Sequence, residues 1–432
     1  MVTIGVSVAA FVLLAASIVF IPAVKIGKVK IGTYWLVALL GAATLLITKQ
    51  VPIEEVGRAL VSDEEINPLK ILVLFFSMTF LSVYLDEVGL FAFLAQKAAG
   101  VARTKQTALF AVTYFLTAFL TVFTSNDVVI LTLTPFLCFF CKKTNVDPLP
   151  YLVGEFVAAN TWSMALLIGN PTNIYLSTAA GIDFLSYSKV MILPTLAAGL
   201  AEFLTVWLLF RKKLKREIAP SADTAKIESK PDLIVGVAHL VVCLVFLVVS
   251  GYIKVQMWLI SAIAAGSLLV CSLLIRCITK KGWRTLGRSC KRLPYQLIPF
   301  VLGMFVVVIA LEYQGVSGKI GALLGEKTCV FTYGAASFLM CNVINNIPMS
   351  ILFSSVTKTL SGQAFLQATY ASVIGSNLGA FLTPVGALAG IMFTDLTARY
   401  HVEYGFKKFI FYGFIVSIPT LAVALTVLFL LV

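Results

Sequence analysis

Charge is scarce in this chain. Only 12% of its 432 residues are Asp, Glu, Lys or Arg, against roughly 25% in a soluble globular protein. With 59% of residues hydrophobic and a mean hydropathy of +0.98, the apolar excess is too large to hide in a core. A soluble enzyme, a nucleic-acid binder and a secreted disulfide scaffold are excluded. A phosphate loop is missing, because Gly321-Ala-Leu-Leu-Gly325-Glu-Lys327-Thr328 has the wrong spacing for G-x4-G-K-[ST]. No serine or cysteine nucleophile motif stands out, so neither catalytic residues nor a cofactor are predicted. Met1-Val2-Thr3 lacks the positive n-region of a signal peptide, and the run from Ile4 to Pro22 is long enough to span a bilayer. Cys138-Phe-Phe-Cys141 has dithiol spacing but no companion His or Cys at metal-ligand spacing. It reads as apolar filling, and no metal site is predicted.

What is present is a series of long apolar runs. At about 20 residues per crossing, they predict about ten spans, near 3–22, 31–48, 69–94, 151–182, 189–210, 233–251, 255–275, 293–313, 364–393 and 409–432. Two further segments are apolar except in the middle. Thr107 to Cys141 is interrupted by Ser125-Asn126-Asp127, and Cys329 to Val356 by Asn342 and Asn345-Asn346. Val128 to Cys141 reaches only about 21 Å as a helix, short of a hydrocarbon core of about 30 Å. Both segments are therefore predicted to be re-entrant helix hairpins, with polar tips shielded by protein or facing a water-filled cavity.

The excess of 33 Lys and Arg over 20 Asp and Glu reads as loop bias. With hairpins that enter and leave on one side and termini outside, most basic residues fall in cytoplasmic loops. These include Lys25, Lys28, Lys30, Lys97, Arg103, Lys105, Lys142, Lys143 and the segments 211–230 and 276–292; the acidic loop with Glu54, Glu55, Asp63, Glu64 and Glu65 falls outside. A single crossing by 107–141 would move the two richest basic loops outside, against the positive-inside rule. Ile192-Leu-Pro-Thr-Leu196 recurs as Ser417-Ile-Pro-Thr-Leu421. The order span, hairpin, broken helix, span appears twice with opposite topology, the architecture of many secondary transporters. The predicted fold is an all-α polytopic membrane protein of two inverted repeats with discontinuous helices. Residues 1–64 form an N-terminal two-span segment and 65–215 the first repeat. Residues 216–291 form a cytoplasmic linker with a connecting helix pair, and 292–432 the inverted second repeat.

Four polar breaks fall at matching places. The first half has Ser125-Asn126-Asp127, then Asn160-Thr161 and Gly169-Asn170-Pro171-Thr172-Asn173. The second half has Asn342 and Asn345-Asn346, then Gly375-Ser376-Asn377-Leu378-Gly379 and Thr383-Pro384-Val385-Gly386. Proline and glycine open the backbone, and Ser, Thr and Asn add donors and acceptors. Such half-helix ends can hold an ion or small polar solute near the midplane. The structural alternative is helix gluing by Asn and Ser, with Gly375-x3-Gly379 and Gly386-x3-Gly390 as close-packing motifs. Asp127 is the predicted proton-coupling residue, since a carboxylate at bilayer depth is a functional candidate by default. Its alternative role is to N-cap the return helix. Glu155 stands near a cytoplasmic end, where solvation suffices to explain it; Glu202 lies in an apolar run, and His239 reads as a packed helix histidine.

These residues resemble a known family. The stretch Tyr370-Ala-Ser-Val-Ile-Gly-Ser-Asn-Leu-Gly-Ala-Phe-Leu-Thr-Pro-Val-Gly-Ala-Leu-Ala389, with Asn345-Asn346-Ile347-Pro348 before it, resembles the second-half signature of arsenite efflux permeases. Ser125-Asn126-Asp127 followed by Leu131-Thr-Leu-Thr-Pro135 resembles the first-half signature. Where these permeases often carry an acid, in Gly-x-Asp-Leu-Gly, this chain has Asn377. The resemblance implies export of arsenite or antimonite, driven by proton exchange or by a soluble arsenical ATPase. It also implies a scaffold domain and a moving transport domain bearing both hairpins. The wider ion transporter superfamily supplies the alternative, a sodium- or proton-coupled carrier of dicarboxylates or inorganic ions. An ion channel is the remoter reading, disfavoured by an inverted repeat within one chain. The predicted location is the cell (inner or plasma) membrane. The predicted partners are a small solute, a coupling proton or sodium ion, the lipid bilayer and a second copy in a homodimer.

Overall fold

The computed structural model of the protein describes residues 2–20, 23–26, 29–61, 67–101, 105–215, 217, 227, 229–279 and 283–432. Helix α1 (Val2–Phe20) leads through an antiparallel strand pair, β1 (Ala23–Ile26) and β2 (Val29–Gly32), into α2 (Tyr34–Ile47) and a short α3 (Ile53–Val61). There follow α4 (Pro68–Glu87), α5 (Leu90–Val101), α6 (Gln106–Phe123), α7 (Asn126–Lys143), α8 (Leu149–Trp162), α9 (Pro171–Ala179) and α10 (Phe184–Phe210). The connecting region holds α11 (Lys230–Ile253), α12 (Met257–Thr279) and α13 (Arg284–Lys291). The rest is α14 (Leu297–Tyr313), α15 (Val316–Leu324), α16 (Cys329–Ile344), α17 (Asn346–Thr357), α18 (Gly362–Gly379), α19 (Leu388–Arg399) and α20 (Phe406–Leu431).

The chain is a multi-pass helical membrane protein, and the structure amends the expected spans. Among the described residues six helices are long and apolar enough to cross a bilayer (α4, α6, α10, α11, α12 and α20), and α14 with α15, bent by 77°, would make a seventh. The runs 151–182 and 364–393 are not continuous spans. Each breaks into two helices around a 3₁₀ turn, at Leu167–Gly169 and Pro384–Gly386. The cause is the Asn, Gly and Pro content of these stretches, which opens the backbone ladder. The run 69–94 ends as a helix at Glu87, because Gly89 turns with φ +94° before α5 begins. The β1–β2 pair is a small exception to an all-α fold. The acidic loop contains α3, where Arg58 pairs with Glu55 at 3.2 Å. Lys28, Asp63, Glu64, Glu65, Arg103 and most of the 216–228 linker lie outside the described residues.

The two hairpin segments do form helix pairs. The second arm of the first runs for 18 residues, longer than Val128 to Cys141, because Asn126, Asp127, Lys142 and Lys143 are helical too. Its length does not identify a re-entrant hairpin; the contacts of its ends show an antiparallel helix pair. Thr107 at the start of α6 donates to the Leu214 carbonyl at 3.0 Å, while Asp147 beyond α7 pairs with Lys213 at 2.6 Å. Both ends of the α6–α7 pair thus rest on one segment. The α16–α17 pair behaves alike at the opposite end. Cys329 at the start of α16 contacts Gln367 at 3.1 Å, and Gln367 donates to the Val432 carbonyl at 2.7 Å. Thr359, just past α17, lies so close to Gly321 that a Cβ there would meet its Oγ1 at 2.1 Å.

Close packing sets the second half. A Cβ at Gly375 would come within 2.0 Å of Ser337 Oγ, and one at Gly379 within 2.5 Å of the Phe338 carbonyl, so α18 and α16 meet backbone to backbone. The small-xxx-small reading of this pair of glycines is therefore correct. At the molecule's other end, Tyr84 (α4) donates to Asp232 (α11) at 2.6 Å, and Arg276 (α12) reaches the same carboxylate at 3.1 Å. Removing one partner of so buried an ion pair costs about 3–5 kcal/mol, which fastens α11 and α12 to α4.

Candidate functional site

The first hairpin turns over Thr124 and Ser125, both extended, before α7 starts at Asn126. Asp127 is not the N-cap. Ser125 occupies the cap position without a side-chain bond, and Asn126 Oδ1 accepts the Asp127 amide at 2.9 Å. That leaves the Asp127 carboxylate in the first helical turn, where the helix dipole favours an acid. It faces a cavity of about 1170 Å³, lined nearby by Tyr34, Phe75, Thr79, Val128, Pro384, Val385 and Leu388. The cavity reaches the end of the molecule that carries Lys291, Arg292, Arg399 and Glu403.

Among the described residues the Asp127 carboxylate makes no hydrogen bond or ion pair. The arginines on the cavity are already engaged. Arg292 binds Asp86 at 2.6 Å and Glu87 at 2.7 Å, and Arg399 pairs with Asp395 one turn away. Burial opposes the charge of Arg292, but the two carboxylates outweigh it and hold its pKa above the ordinary guanidinium value. A solute beside Asp127 meets apolar walls, the Tyr34 side chain and one carboxylate, while the Thr79 hydroxyl is buried without a partner among the described residues.

Of the residues expected to bind, only Asp127 and Pro384 line this cavity. The others form a buried network behind it. Asn126 Nδ2 donates to Asn160 Oδ1 at 3.1 Å, joining the hairpin tip to the end of α8. The breaks of the two halves meet at Asn377. Its Oδ1 accepts from Asn170 Nδ2 at 2.9 Å and lies 2.9 Å from Ser163 Oγ, whose single hydrogen it shares with the Asn160 carbonyl at 2.6 Å; its Nδ2 donates to Asn173 Oδ1 at 2.7 Å and the Val373 carbonyl at 2.8 Å. The amide's capacity is thereby filled. Only an amide supplies both halves of that pattern, which is why this chain carries Asn rather than Asp at the position. Ser376 donates to the Val373 carbonyl at 2.9 Å and lies 3.1 Å from Thr172 Oγ1, and Asn170 caps α9 with Pro171 in its first turn. Gly169 is required because a Cβ would lie 2.2 Å from the Ser163 carbonyl.

In the second hairpin Asn345 sits at φ +72°, ψ 153°, caps α17 through Ile347 N and donates to the Val385 carbonyl at 2.9 Å. Thr383 bonds Asn342 at 2.7 Å, and Asn342 reaches the Gly379 carbonyl at 3.0 Å. At each tip one buried side-chain oxygen, Ser125 Oγ and Asn346 Oδ1, has no partner. Thr161 stands apart from the pin, bonded to Glu202. Among the described residues no three His, Cys, Asp or Glu side chains converge as metal ligands.

Some features were not expected. Ser163 completes the link between halves; its place directly after Asn160-Thr161 was the available signal. Tyr34 and Thr79 carry no sequence signal, since an aromatic or hydroxyl on an apolar helix is ordinary. Glu155 is not solvated: it is 1% exposed and takes Thr134 Oγ1 at 3.0 Å. His239 bonds its own helix at the Val235 carbonyl, and Cys138 and Cys141 are buried and unbridged.

A sequence model described as citrate transporter matches residues 4–375. The arsenical pump membrane protein of Escherichia coli (strain K12) is 27% identical over 374 residues, covering 82% of this chain and 84% of that protein. An uncharacterized transporter of Mycobacterium tuberculosis (strain ATCC 25618 / H37Rv) is 23% identical over 97% of each chain. Among solved structures, the YdaH transporter of Alcanivorax borkumensis aligns over 99% of this chain and 96% of its own, with TM-score 0.56 and 14% identity. MtrF of Neisseria gonorrhoeae, from a class of antimetabolite efflux pumps, aligns over 99% and 93% with TM-score 0.52 and 13% identity. At such identities the two structures speak to the fold alone.

Proposed function

The chain belongs to the citrate transporter family, and from that premise we propose that it is a secondary-active exporter of arsenite or antimonite driven by proton exchange. That it is a membrane transporter and not an enzyme follows from the family and its relatives; the substrate and coupling are our reading. The observation that carries it is the cavity wall at Asp127, whose carboxylate makes no ion pair among the described residues, although Lys291, Arg292 and Arg399 line the same cavity. A free citrate or dicarboxylate anion placed there would be repelled by a carboxylate. A neutral hydroxide such as arsenous acid would find an acceptor in Asp127 and a hydroxyl in Tyr34. The likeness to arsenical pump membrane proteins supports the same substrate.

In this reading the end bearing Lys291, Arg292 and Arg399 faces the cytoplasm and both termini lie outside. Residues 65–215 and 292–432 are the inverted repeats, 1–64 the two-span N-terminal segment and 216–291 the cytoplasmic linker with its helix pair. Asp127 gives up its proton to the cytoplasmic cavity, the solute enters, and reprotonation from outside releases it. Moving one charge inward is worth about 2.3 kcal/mol per 100 mV, so exchange of an entering proton for a neutral solute lets the membrane potential help drive export. The pinned breaks, with Asn170, Asn173, Ser376 and Asn377, hold the halves in register rather than touching solute in this state.

Proteoliposome flux tests the proposal. We expect saturable arsenite transport coupled to an imposed pH gradient, with no coupled flux of citrate or succinate and none driven by sodium. Citrate transport with no arsenite transport would replace this reading with the anion carrier that the family's description suggests.

A further inference from the structure

Glu202 takes no part in the cavity, yet it is one of the most enclosed acids in the molecule. It lies in the middle of α10 at 0% exposure. Thr161, in the last turn of α8, donates to its Oε2. Tyr114, from the first arm of the first hairpin, lies 2.9 Å from its Oε1 and 2.7 Å from the Gly199 carbonyl. Trp162 Nε1 donates to Tyr114 at 3.2 Å, and its ring lies against Gly199 so closely that a Cβ there would come within 2.5 Å.

Proton counting assigns the state of this group. A tyrosine hydroxyl has one hydrogen and two lone pairs. The Gly199 carbonyl can only accept, so the shorter contact takes the Tyr114 hydrogen. The contact with Oε1 then needs a hydrogen from Glu202. With Glu202 protonated, Tyr114 accepts from it and from Trp162, and Thr161 serves the other oxygen. The ionised alternative would place a charge at membrane depth with only hydroxyl donors, at a cost of several kcal/mol.

No cation on the neighbouring elements is available to change that outcome. On α8 the other acid is Glu155, bonded to Thr134. On α11, Asp232 is paired with Arg276 and His239 with the Val235 carbonyl; Lys230 stands in its first turn, at the helix end. On α20, Lys407 and Lys408 lie in the first turn, and Tyr412 packs against Phe210. On α10 itself, Asp183 caps the N-terminus and Lys189 follows in the second turn, while the exposed Arg211 stands at the C-cap, about two and a half turns beyond Glu202.

The position of Glu202 gives its proton a consequence. Asn160, Thr161, Trp162 and Ser163 are consecutive and tie to four different places: the hairpin tip at Asn126, Glu202, Tyr114 and the pin at Asn377. We propose that Glu202 is a protonated carboxylic acid and a second proton site of the transport cycle, one that governs the Asn160–Ser163 junction. Loss of its proton would turn the group from donor to acceptor, break its bond to Tyr114 and free the junction next to Asp127. The transport half of this inference rests on the proton-coupled reading above; the protonation half does not.

Infrared difference spectra of the full chain in lipid test the protonation half, comparing the parent with Glu202→Gln. We expect loss of one protonated-carboxyl C=O band at neutral pH, and identical bands in the two proteins would overturn the assignment. In proteoliposomes the parent's arsenite flux should titrate with two groups and the variant's with one; an unchanged pH profile would overturn the coupling role. Should Glu202→Gln fail to fold, Thr161→Val and Tyr114→Phe should each shift the same band, and no shift in either would overturn the assignment. A parent that carries no arsenite would sink the substrate reading and leave the infrared result standing.

Discussion

Residues 65–215 and 292–432 use the same parts in the same order, yet they differ in where their acids lie. In the first region Glu155 and Glu202 are buried and Asp127 faces the cavity. In the second, Glu312, Glu326, Asp395 and Glu403 are all exposed, and every polar group at its breaks is neutral. The hairpin tips differ in the same sense. The first presents a carboxylate with no bonded partner, while the second presents an amide tied to the Val385 carbonyl. One order of elements thus carries two kinds of break: the first region's include a carboxylate on the cavity, and the second region's carry neutral side chains alone.

The most drastic way to break this asymmetry is to remove the acid that the first hairpin presents to the cavity. Asp127→Asn keeps the shape and takes away the proton. We expect coupled flux in energised vesicles to fall to the level of empty liposomes, with thermal stability changed by no more than about 1 kcal/mol. Full coupled flux in that variant would remove Asp127 from the mechanism and leave the comparison without meaning.

The asymmetry was only half legible in the sequence. Ser125-Asn126-Asp127 and Asn345-Asn346-Ile347-Pro348 interrupt long apolar runs, so both hairpins could be read from local pattern, and Asp127 from its cost in lipid. Partners could not be read. Asn377 bonds residues more than 200 positions away, and nothing near it distinguishes a ligand from a filled pin. Glu155 looked solvated because an apolar run does not reveal that Thr134 on the neighbouring helix will cover it. The breaks in the α8 and α18 runs were legible, because Asn, Gly and Pro cluster where the helices stop at Leu167–Gly169 and Pro384–Gly386. Tertiary pairing decides the cases of Asn377 and Glu155, and one-dimensional pattern does not contain it.

A second test imports charge into the neutral region. Asn377→Asp removes the donors to Asn173 and the Val373 carbonyl and buries a carboxylate that no cation reaches. We expect a loss of about 3 kcal/mol or more in stability, seen as a lowered unfolding midpoint in detergent, and weak flux. The acid customary at this place in the permeases should therefore fail here. A stable, active Asn377→Asp protein would show that the pin is not the joint between the halves.

The finest test separates the two tips by backbone alone. Asn345 holds φ +72°, ψ 153°, a conformation that strains any residue with a Cβ, whereas Ser125 is extended at φ −117°, ψ 140°. Such strain costs about 1–3 kcal/mol. Asn345→Ala and Asn345→Gly lose the same cap and the same bond to the Val385 carbonyl, together about 2 kcal/mol, but only glycine relieves the strain. Asn345→Gly should therefore be the more stable of the two. Ser125 is an extended N-cap, where glycine is also tolerated better than alanine but has no strain to relieve, so the gap between the two should be smaller than at Asn345. Thermal unfolding of the four variants reads both gaps at once. An equal gap at both tips would mean that the second hairpin is not held in a special turn, and that its neutrality, rather than its geometry, is all that sets it apart from the first.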